Sequence, residues 1–390
     1  MAYHKEQQKQ KLNRKKEDGF IDFTLLFVIF FLIGFGLLML YSSSSYSANL
    51  QHGDSAFFLK RQVAAAGVGL AVMVAVALFP YRNWRHFAIP AYIVSVVALL
   101  LIIPFGAEIN HAKRWIYVSG VSVQPAEIAK LGIILFLAAL INRIGRKGVS
   151  GFKGVCFVLL WAAPLSLMIW KITSNLSSAI IVFGIAFLMV FVASPNYRGY
   201  LLLTVLVGAL AAGIITYARH IPFSEMGYRG ARIVAWLNPE ADASNHGFQT
   251  LQALYAIGSG GLFGKGLGQS MQKLGFLPEA QNDMIFSIIC EELGMFGAVA
   301  IMTMFLILIW RCVVIANNAP DLFGALLVVG VLSHVAIQVI LNIAVVTNTI
   351  PNTGISLPFI SYGGSALICQ LVEMGLVLGV GQGIRLKDLK

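Results

Sequence analysis

The sequence predicts an all-α integral membrane protein, a bundle of ten transmembrane helices. Of its 390 residues, 58% are hydrophobic and only 12% are charged, and the mean hydropathy is +0.80. Such a composition is typical of chains whose apolar runs cross a bilayer. The runs are apolar on every face and longer than the roughly 10-residue alternating strands of a membrane barrel. The sequence therefore favours helices over a barrel.

Each predicted span is long enough to cross the apolar part of a membrane. A bilayer core about 30 Å thick needs roughly 20 apolar residues in helical conformation. The ten spans predicted on this basis cover residues 21–41, 62–79, 87–105, 126–141, 155–170, 178–193, 200–217, 284–310, 322–346 and 365–380.

The positions of Lys and Arg predict the orientation of the spans. Basic residues accumulate in cytoplasmic loops close to span ends. Here they fill the segment before the first span and every second loop after it, which predicts that both termini are cytoplasmic. The predicted organisation is a basic tail (1–20), a membrane domain (21–384) and a short tail (385–390). The net charge of +11 is then explained by topology and by anionic membrane lipid, and nucleic acid is not expected as a partner.

The loop between spans seven and eight, residues 218–283, is predicted to lie on the extracytoplasmic side. It is rich in Gly and carries Arg219, Arg229, Arg232, Lys265 and Lys273, although basic residues are normally scarce on that side. A long basic loop of this kind predicts a lid or cradle for an anionic group. A solvated loop without a ligand is the alternative.

Asp283 ends this loop and directly precedes the eighth span. A carboxylate at the edge of the bilayer, beneath a basic loop, is the predicted centre of the chemistry. Asp is also a favoured helix N-cap, so a capping role is the alternative, and the two roles are compatible.

A second outward segment contains Lys113, Arg114 and Trp115, followed by a span that opens at Pro125. Glu127 and Lys130 stand three residues apart, so they lie on one face of this helix. Ionisable residues in a span usually face the interior, paired or lining a polar cavity. The two interpretations are an ion pair that fixes helix packing and a polar wall that also contacts a charged substrate.

The third outward segment covers residues 347–367. Its two prolines and three glycines argue against a simple spanning helix. Non-helical backbone at membrane depth is tolerated only where protein or a water-filled cavity covers it. The segment is therefore predicted to re-enter the bundle, either to line the same cavity or as a purely structural turn.

Three motifs in these segments resemble those of the SEDS family (shape, elongation, division, sporulation), more closely its division-type FtsW branch than its RodA branch. They read KRWI with VQPAEIAKL, then GSGGLFGKGLGQSMQKLGFLPEAQNDMIFSIICEELG, then LPFISYGGSAL, and the resemblance covers nearly the whole chain. One departure is Asn175, which stands where the family often has Asp. The resemblance implies a peptidoglycan glycosyltransferase that polymerises lipid II.

The resemblance also implies roles for individual residues. Asp283 corresponds to the catalytic carboxylate and would act as general base toward the acceptor sugar. The residues expected to bind substrate are Arg114, Trp115, Glu127, Lys130, Lys265, Lys273, Pro278, Glu279, Ser361 and Tyr362.

The expected partners are lipid II, a class B penicillin-binding protein (a transpeptidase), other divisome membrane proteins and membrane lipid. A divalent cation, Mg²⁺ or Mn²⁺, is an expected cofactor without assigned ligands, and no organic cofactor is expected. The expected location is the cytoplasmic membrane of a bacterium, at the division septum. A lipid II flippase or transporter and a non-catalytic scaffold are the alternative functions, because broken helices and intramembrane charges are also typical of transporters.

Overall fold

The structure is a computed structural model that describes residues 20–109, 112–118, 121–195, 228–242 and 247–384, together with isolated positions between 205 and 216. Within these residues the fold is a helical bundle with nine helical segments long and apolar enough to cross a membrane. The bundle helices are α1 (Phe23–His52), α2 (Phe57–Leu78), α3 (Ala88–Phe105), α4 (Pro125–Gly148), α5 (Phe152–Ile172), α6 (Leu176–Ala193), α9 (Ile285–Asn317), α10 (Leu322–Val346) and α11 (Gly364–Gln382).

These nine segments confirm nine of the predicted spans. The seventh predicted span, 200–217, lies outside the described residues apart from those isolated positions. The largest difference is at α1, which continues well past the predicted end at residue 41 to His52. Serines form this extension, and the hydroxyls of Ser43 and Ser44 donate to the carbonyl of Leu40 in the same helix, at 3.2 and 2.6 Å. Because the helix backbone accepts these hydroxyls, polar residues extend α1 instead of ending it.

Smaller elements lie at the end of the bundle where Asp283 is found. A three-stranded antiparallel sheet follows α3, in the order β1 (Gly106–Ile109), β2 (Ala112–Val118), β3 (Val121–Val123). Two short helices, α7 (Tyr228–Leu237) and α8 (Phe248–Gly260), belong to the long loop between the seventh and eighth predicted spans. The sheet and these helices were not predicted.

Contacts at the opposite end of the bundle join the start, middle and end of the chain. Asp22 caps α1 by accepting from the backbone N–H of Leu25 at 2.9 Å, and its other oxygen pairs with Arg311 near the end of α9 at 2.8 Å. The backbone N–H of Phe20 donates to the carbonyl of Ile384, just after α11. These contacts place the start of α1 and the ends of α9 and α11 on one face, as the predicted alternation of spans requires.

Helix α9 is broken at Gly294, whose φ of 67° and ψ of −164° are not helical. The break releases backbone groups inside the bundle, and the glycine-rich loop after α8 binds them. The N–H groups of Lys265 and Gly266 each donate at 2.9 Å, to the carbonyls of Glu291 and Glu292. The loop glycines therefore allow close approach to the backbone of α9.

Gly294→Ala is expected to destabilise the protein. A Cβ at this position would collide with the backbone of Leu262 and Gly264, and the positive φ adds strain of about 1–3 kcal/mol. Gly34→Ala in α1 is the control, because a Cβ there meets nothing within 4 Å. Thermal unfolding in detergent compares the two variants, and equal melting temperatures would contradict the proposed role of the break.

Candidate functional site

Asp283 lies just before α9, at the end of the bundle opposite Asp22. The residue before the first turn of α9 is Met284, and no side chain caps the helix, so the capping alternative for Asp283 is wrong. Asp283 is only 9% exposed, and its Oδ1 has no hydrogen-bond partner among the described residues. The carboxyl group is therefore available for chemistry instead of being used to hold the helix.

The surroundings of Asp283 change its acidity. Burial, and to a smaller extent the negative charge of Glu279, raise the pKa of Asp283 to about 7. The positive charges of Arg232 and Arg114 act in the opposite direction on this pKa but do not cancel the effect of burial. A carboxyl group that titrates near neutrality is suited to accept a proton during turnover.

The two arginines reach this region from separate elements outside the bundle. Arg114 lies on β2 and its Nε donates to the carbonyl of Thr173, after α5, at 3.4 Å. Arg232 lies on α7 and its Nη1 donates to the carbonyl of Asn352 at 3.1 Å. The sheet and α7 therefore bring two guanidinium groups toward one carboxyl group.

Pro278 and Glu279, two of the predicted substrate-binding residues, lie in the turn that precedes Asp283. Glu279 adopts a left-handed backbone conformation, with φ of 55°. The carbonyl of Pro278 accepts from the side chain of Gln249 on α8 at 3.3 Å, and Glu279 accepts from the side chain of Asn282. These contacts fix the turn that delivers Asp283 to the start of α9.

Glu127 and Lys130 form the predicted ion pair inside the bundle. Lys130 Nζ lies 2.7 Å from Glu127 Oε1, and both side chains are almost fully buried. The other oxygen, Glu127 Oε2, has no hydrogen-bond partner among the described residues. The pair lies within α4, and Lys130 joins α4 to α10 through its hydrogen bond to Gln338 at 3.2 Å.

Lys265 and Lys273 both form salt bridges with carboxylates of α9. Lys265 pairs with Glu291 at 2.7 Å, and Lys273, which is 8% exposed, pairs with Glu292 at 2.8 Å. Ser42 of α1 also donates to Glu292, at 2.7 Å. These lysines hold the glycine-rich loop on the bundle, so their predicted contact with substrate stays a prediction that this geometry does not favour.

The segment between α10 and α11 is non-helical and enters the bundle as predicted. Ser361 is buried, and its hydroxyl accepts from the N–H of Leu357 at 2.7 Å. The backbone N–H of Tyr362 donates to the carbonyl of Gln281 at 3.0 Å, two residues before Asp283. The segment therefore supports the Asp283 turn directly, which gives it a structural role beside the predicted substrate contact.

Two further predicted positions have defined surroundings. Trp115 is half-buried on β2, next to Arg114. Asn175, where the family often has Asp, caps α6 by accepting from the N–H of Ser178 at 3.0 Å. An aspartate would fill the same capping role, so the local fold does not depend on the replacement.

Sequence reasoning missed a polar stripe on α10 that consists of His334, Gln338 and Asn342. Each of the three is at most 1% exposed, and they stand four residues apart in a helix that is otherwise almost entirely apolar. The signal was present in the sequence, because polar residues spaced by four in a span mark one interior face.

The site and the bundle define a polytopic helical membrane protein with a buried carboxyl group at one end. Comparison with known proteins identifies the class. The family model FTSW_RODA_SPOVE, described as cell cycle protein, matches residues 23–385. The chain therefore belongs to the FtsW/RodA/SpoVE family, and the predicted SEDS membership is confirmed.

Named relatives match over nearly their full length. Stage V sporulation protein E of Bacillus subtilis is 38% identical, over 93% of this chain and 97% of that protein. The probable peptidoglycan glycosyltransferase FtsW of Geobacter metallireducens is also 38% identical, over 95% of this chain and 96% of that protein. The relatives named FtsW fit the predicted division-type branch.

Solved structures share the fold. One, described as a peptidoglycan synthase complex that coordinates polymerization and crosslinking, aligns with a TM-score of 0.75 at 26% identity, over 93% of this chain and 97% of that chain. The rod shape determining protein RodA of Thermus thermophilus aligns with a TM-score of 0.65 at 27% identity, over 94% of this chain and 98% of that chain.

Lys273→Met is expected to lower the free energy of unfolding by about 3–5 kcal/mol, because it leaves Glu292 as a buried carboxylate without its cation. Lys60→Met is the control. It breaks an ion pair with Asp54 of similar length, 2.8 Å, but this pair is exposed to solvent and contributes little. Unfolding in detergent measures both variants, and the idea fails if the two are equally stable.

Proposed function

We propose that this chain is a peptidoglycan glycosyltransferase. It polymerises lipid II, a disaccharide-pentapeptide on undecaprenyl pyrophosphate, at the outer face of the cytoplasmic membrane during septal wall synthesis. The observation that carries the proposal is the carboxyl group of Asp283 at one end of the bundle. It is buried, does not cap a helix and lies near the charges of two arginines. The names of the full-length relatives support the same activity.

Asp283 acts as the general base in this proposal. As the acceptor sugar hydroxyl attacks the anomeric carbon of the donor, Asp283 takes the hydroxyl proton. The new glycosidic C–O bond forms while the bond to the pyrophosphate oxygen breaks, and the electron pair leaves with the pyrophosphate. Because pyrophosphate leaves as an anion, the step needs no second carboxyl group as general acid, unlike the hydrolysis of an ordinary glycoside.

Arg114 and Arg232 stabilise the charge that develops on the pyrophosphate. Fixed cations lower the free energy of a transition state when they face the atoms on which charge appears. Guanidinium groups also suit phosphate oxygens, because they can donate two parallel hydrogen bonds. Lys265 and Lys273 form salt bridges with carboxylates of α9, so Arg232 is a better candidate than either lysine for this role.

The described residues around Asp283 do not form a metal site built from protein ligands alone. No three His, Cys, Asp or Glu residues converge into a metal site in the part of the chain that the structure describes. A divalent cation thus stays a prediction, and no step of this mechanism passes through it.

The partner and the location follow from the same proposal. A class B penicillin-binding protein would crosslink the strands that this chain makes, and the solved peptidoglycan synthase complex with this fold supports such a pairing. Both termini would lie in the cytoplasm, on the face that carries Asp22 and Arg311.

Asp283→Asn is expected to lower the rate of glycan polymerisation by about 10²–10⁴-fold, because the amide cannot accept the proton. The measurement is polymer formation from lipid II by the purified protein with its transpeptidase partner. Asp54→Asn is the control, since Asp54 is a carboxylate outside this site. A wild-type protein that moves lipid II between leaflets without polymerising it would establish a transporter instead, and one that does neither would favour a scaffold. Full activity of Asp283→Asn would show that Asp283 is not the base.

The polymerisation rate of the wild type is expected to rise with pH through about 7, because Asp283 must lose its proton before it can act as a base. Glu279→Gln removes a negative neighbour and should move this rise to lower pH. Arg232→Gln removes a positive neighbour and should move it to higher pH. Initial rates from pH 5.5 to 8.5 measure both shifts, and shifts in the same direction would contradict the assignment.

A further inference from the structure

The polar stripe of α10 connects the buried ion pair of α4 to Asp283. His334, Gln338 and Asn342 lie on one face of the helix and span about 12 Å along its axis. Gln338 and Asn342 form hydrogen bonds to Lys130 and to the carbonyl of Asp283, which belong to the candidate site. The stripe therefore differs from the isolated polar contacts that join membrane helices.

Asn342 holds the Asp283 turn against the re-entrant segment. Its Nδ2 donates to the carbonyl of Asp283 at 2.8 Å and to the carbonyl of Ile355 at 2.7 Å. Gly354, next to Ile355, lies so close that a Cβ there would stand 3.7 Å from Asp283 Oδ2. One side chain thus sets the distance between the carboxyl group and the backbone that buries it.

Gln338 makes the same kind of connection one turn deeper. Its Nε2 donates to the carbonyl of Ser356 at 2.9 Å, and its Oε1 accepts from Lys130 Nζ at 3.2 Å. Because an ammonium group can only donate, Oε1 must face Lys130, which fixes the orientation of the amide. Gln338 therefore links the ion pair of α4 to the re-entrant segment.

His334 and Glu373 hold Gln338 in turn. His334 Nε2 lies 2.7 Å from Gln338 Oε1, so this nitrogen carries a proton and donates. Nδ1 lies 2.8 Å from Glu373 Oε2, and this contact also needs one proton, on either the ring or the carboxyl group. Whichever atom carries it, the His334–Glu373 pair has no net charge. Together with Glu127 and Lys130 the whole network is neutral, as burial requires.

We propose that His334, Gln338 and Asn342 are positioning residues for glycosyl transfer, which hold Asp283 and Lys130 in the arrangement that turnover needs. This inference rests on the proposed function, because it assigns the stripe to the same reaction. None of the three needs to touch the substrate. Their effect is transmitted through the Asp283 turn, the re-entrant segment and the α4 ion pair.

The test compares Asn342→Leu and Gln338→Leu with Ser333→Ala in the polymerisation assay. Ser333 is a matched control, because it is buried on the same helix but its hydroxyl donates only to Val329 of that helix. We expect both stripe variants to lose about 10-fold or more in kcat, with KM changed less than 2-fold, since small displacements of a catalytic group can cost about 10²-fold. Ser333→Ala should keep both constants.

The pH profile separates positioning from a loss of stability. In Asn342→Leu the Asp283 turn is released and water reaches the carboxyl group, while Glu279, Arg232 and Arg114 still face it. The rise of the rate with pH should therefore move from about 7 toward the acidic range. If this variant does not fold, Asn342→Ser, which keeps one donor, is expected to shift the profile in the same direction.

Glu373 provides a conservative pair of variants. Glu373→Gln can still donate to His334 Nδ1 and should keep the wild-type rate within about 2-fold, whereas Glu373→Leu should lose 10-fold or more. The inference is overturned if the stripe variants match Ser333→Ala while Asp283→Asn is inactive. If Asp283→Asn is itself active, the assignment of Asp283 as the base fails first and the inference fails with it, whereas a wild type that forms no polymer would overturn the proposed function itself.

Discussion

Backbone polar groups at membrane depth must be bound by protein, and this constraint governs the structure. Two departures from helix among the described residues illustrate it, one at Gly294 in α9 and one in the segment between α10 and α11. In the first, a glycine-rich loop supplies the missing hydrogen bonds from its own backbone. In the second, amide side chains supply them, since an amide both donates and accepts. These side chains are Gln62, Gln338, Asn342 and Gln370.

The same constraint explains how a polar site exists at the end of an apolar bundle. Each non-helical piece brings side chains that a continuous helix would keep apart. The re-entrant segment brings Gly354 to Asp283 and Ser356 to Gln338. The backbone of the re-entrant segment covers part of the Asp283 carboxyl group, and hydrogen bonds hold that backbone in place. Such a site is organised before substrate arrives.

The sequence predicted the helices well because their signal is local. Hydropathy alone located the nine described spans, and for Leu322–Val346 it located both ends. It missed the extension of α1, because the serines there are polar in composition but satisfied within their own helix. It also missed the three short strands, the longest of which has seven residues and carries Arg114. Short strands depend on pairing with neighbours and carry little pattern of their own.

The sequence located the carboxyl group of the candidate site, whose catalytic role stays a prediction, but not the partners of the surrounding charges. Asp283 could be assigned through the family motif, and Glu127 and Lys130 could be paired from their spacing. The partners of Lys265 and Lys273 could not be assigned, because Glu291 and Glu292 lie 26 and 19 residues further along the chain. Nothing in the sequence distinguishes these lysines from the other cations of the loop. The four-residue spacing of the polar residues in α10 could be read from the sequence. Their role could not, because it depends on contacts with α4, α11 and the re-entrant segment.

The closure of the chain on itself has a consequence for biosynthesis. Helix α2 packs most extensively against α11, the last span, and glycines at 69 and 375 let the two helices approach closely. Phe20 likewise contacts Ile384, at the far end of the sequence. The ribosome delivers the first two spans to the membrane long before the last one exists. Their interior faces must therefore wait among lipids or insertion factors, and the bundle closes only when α11 has been inserted.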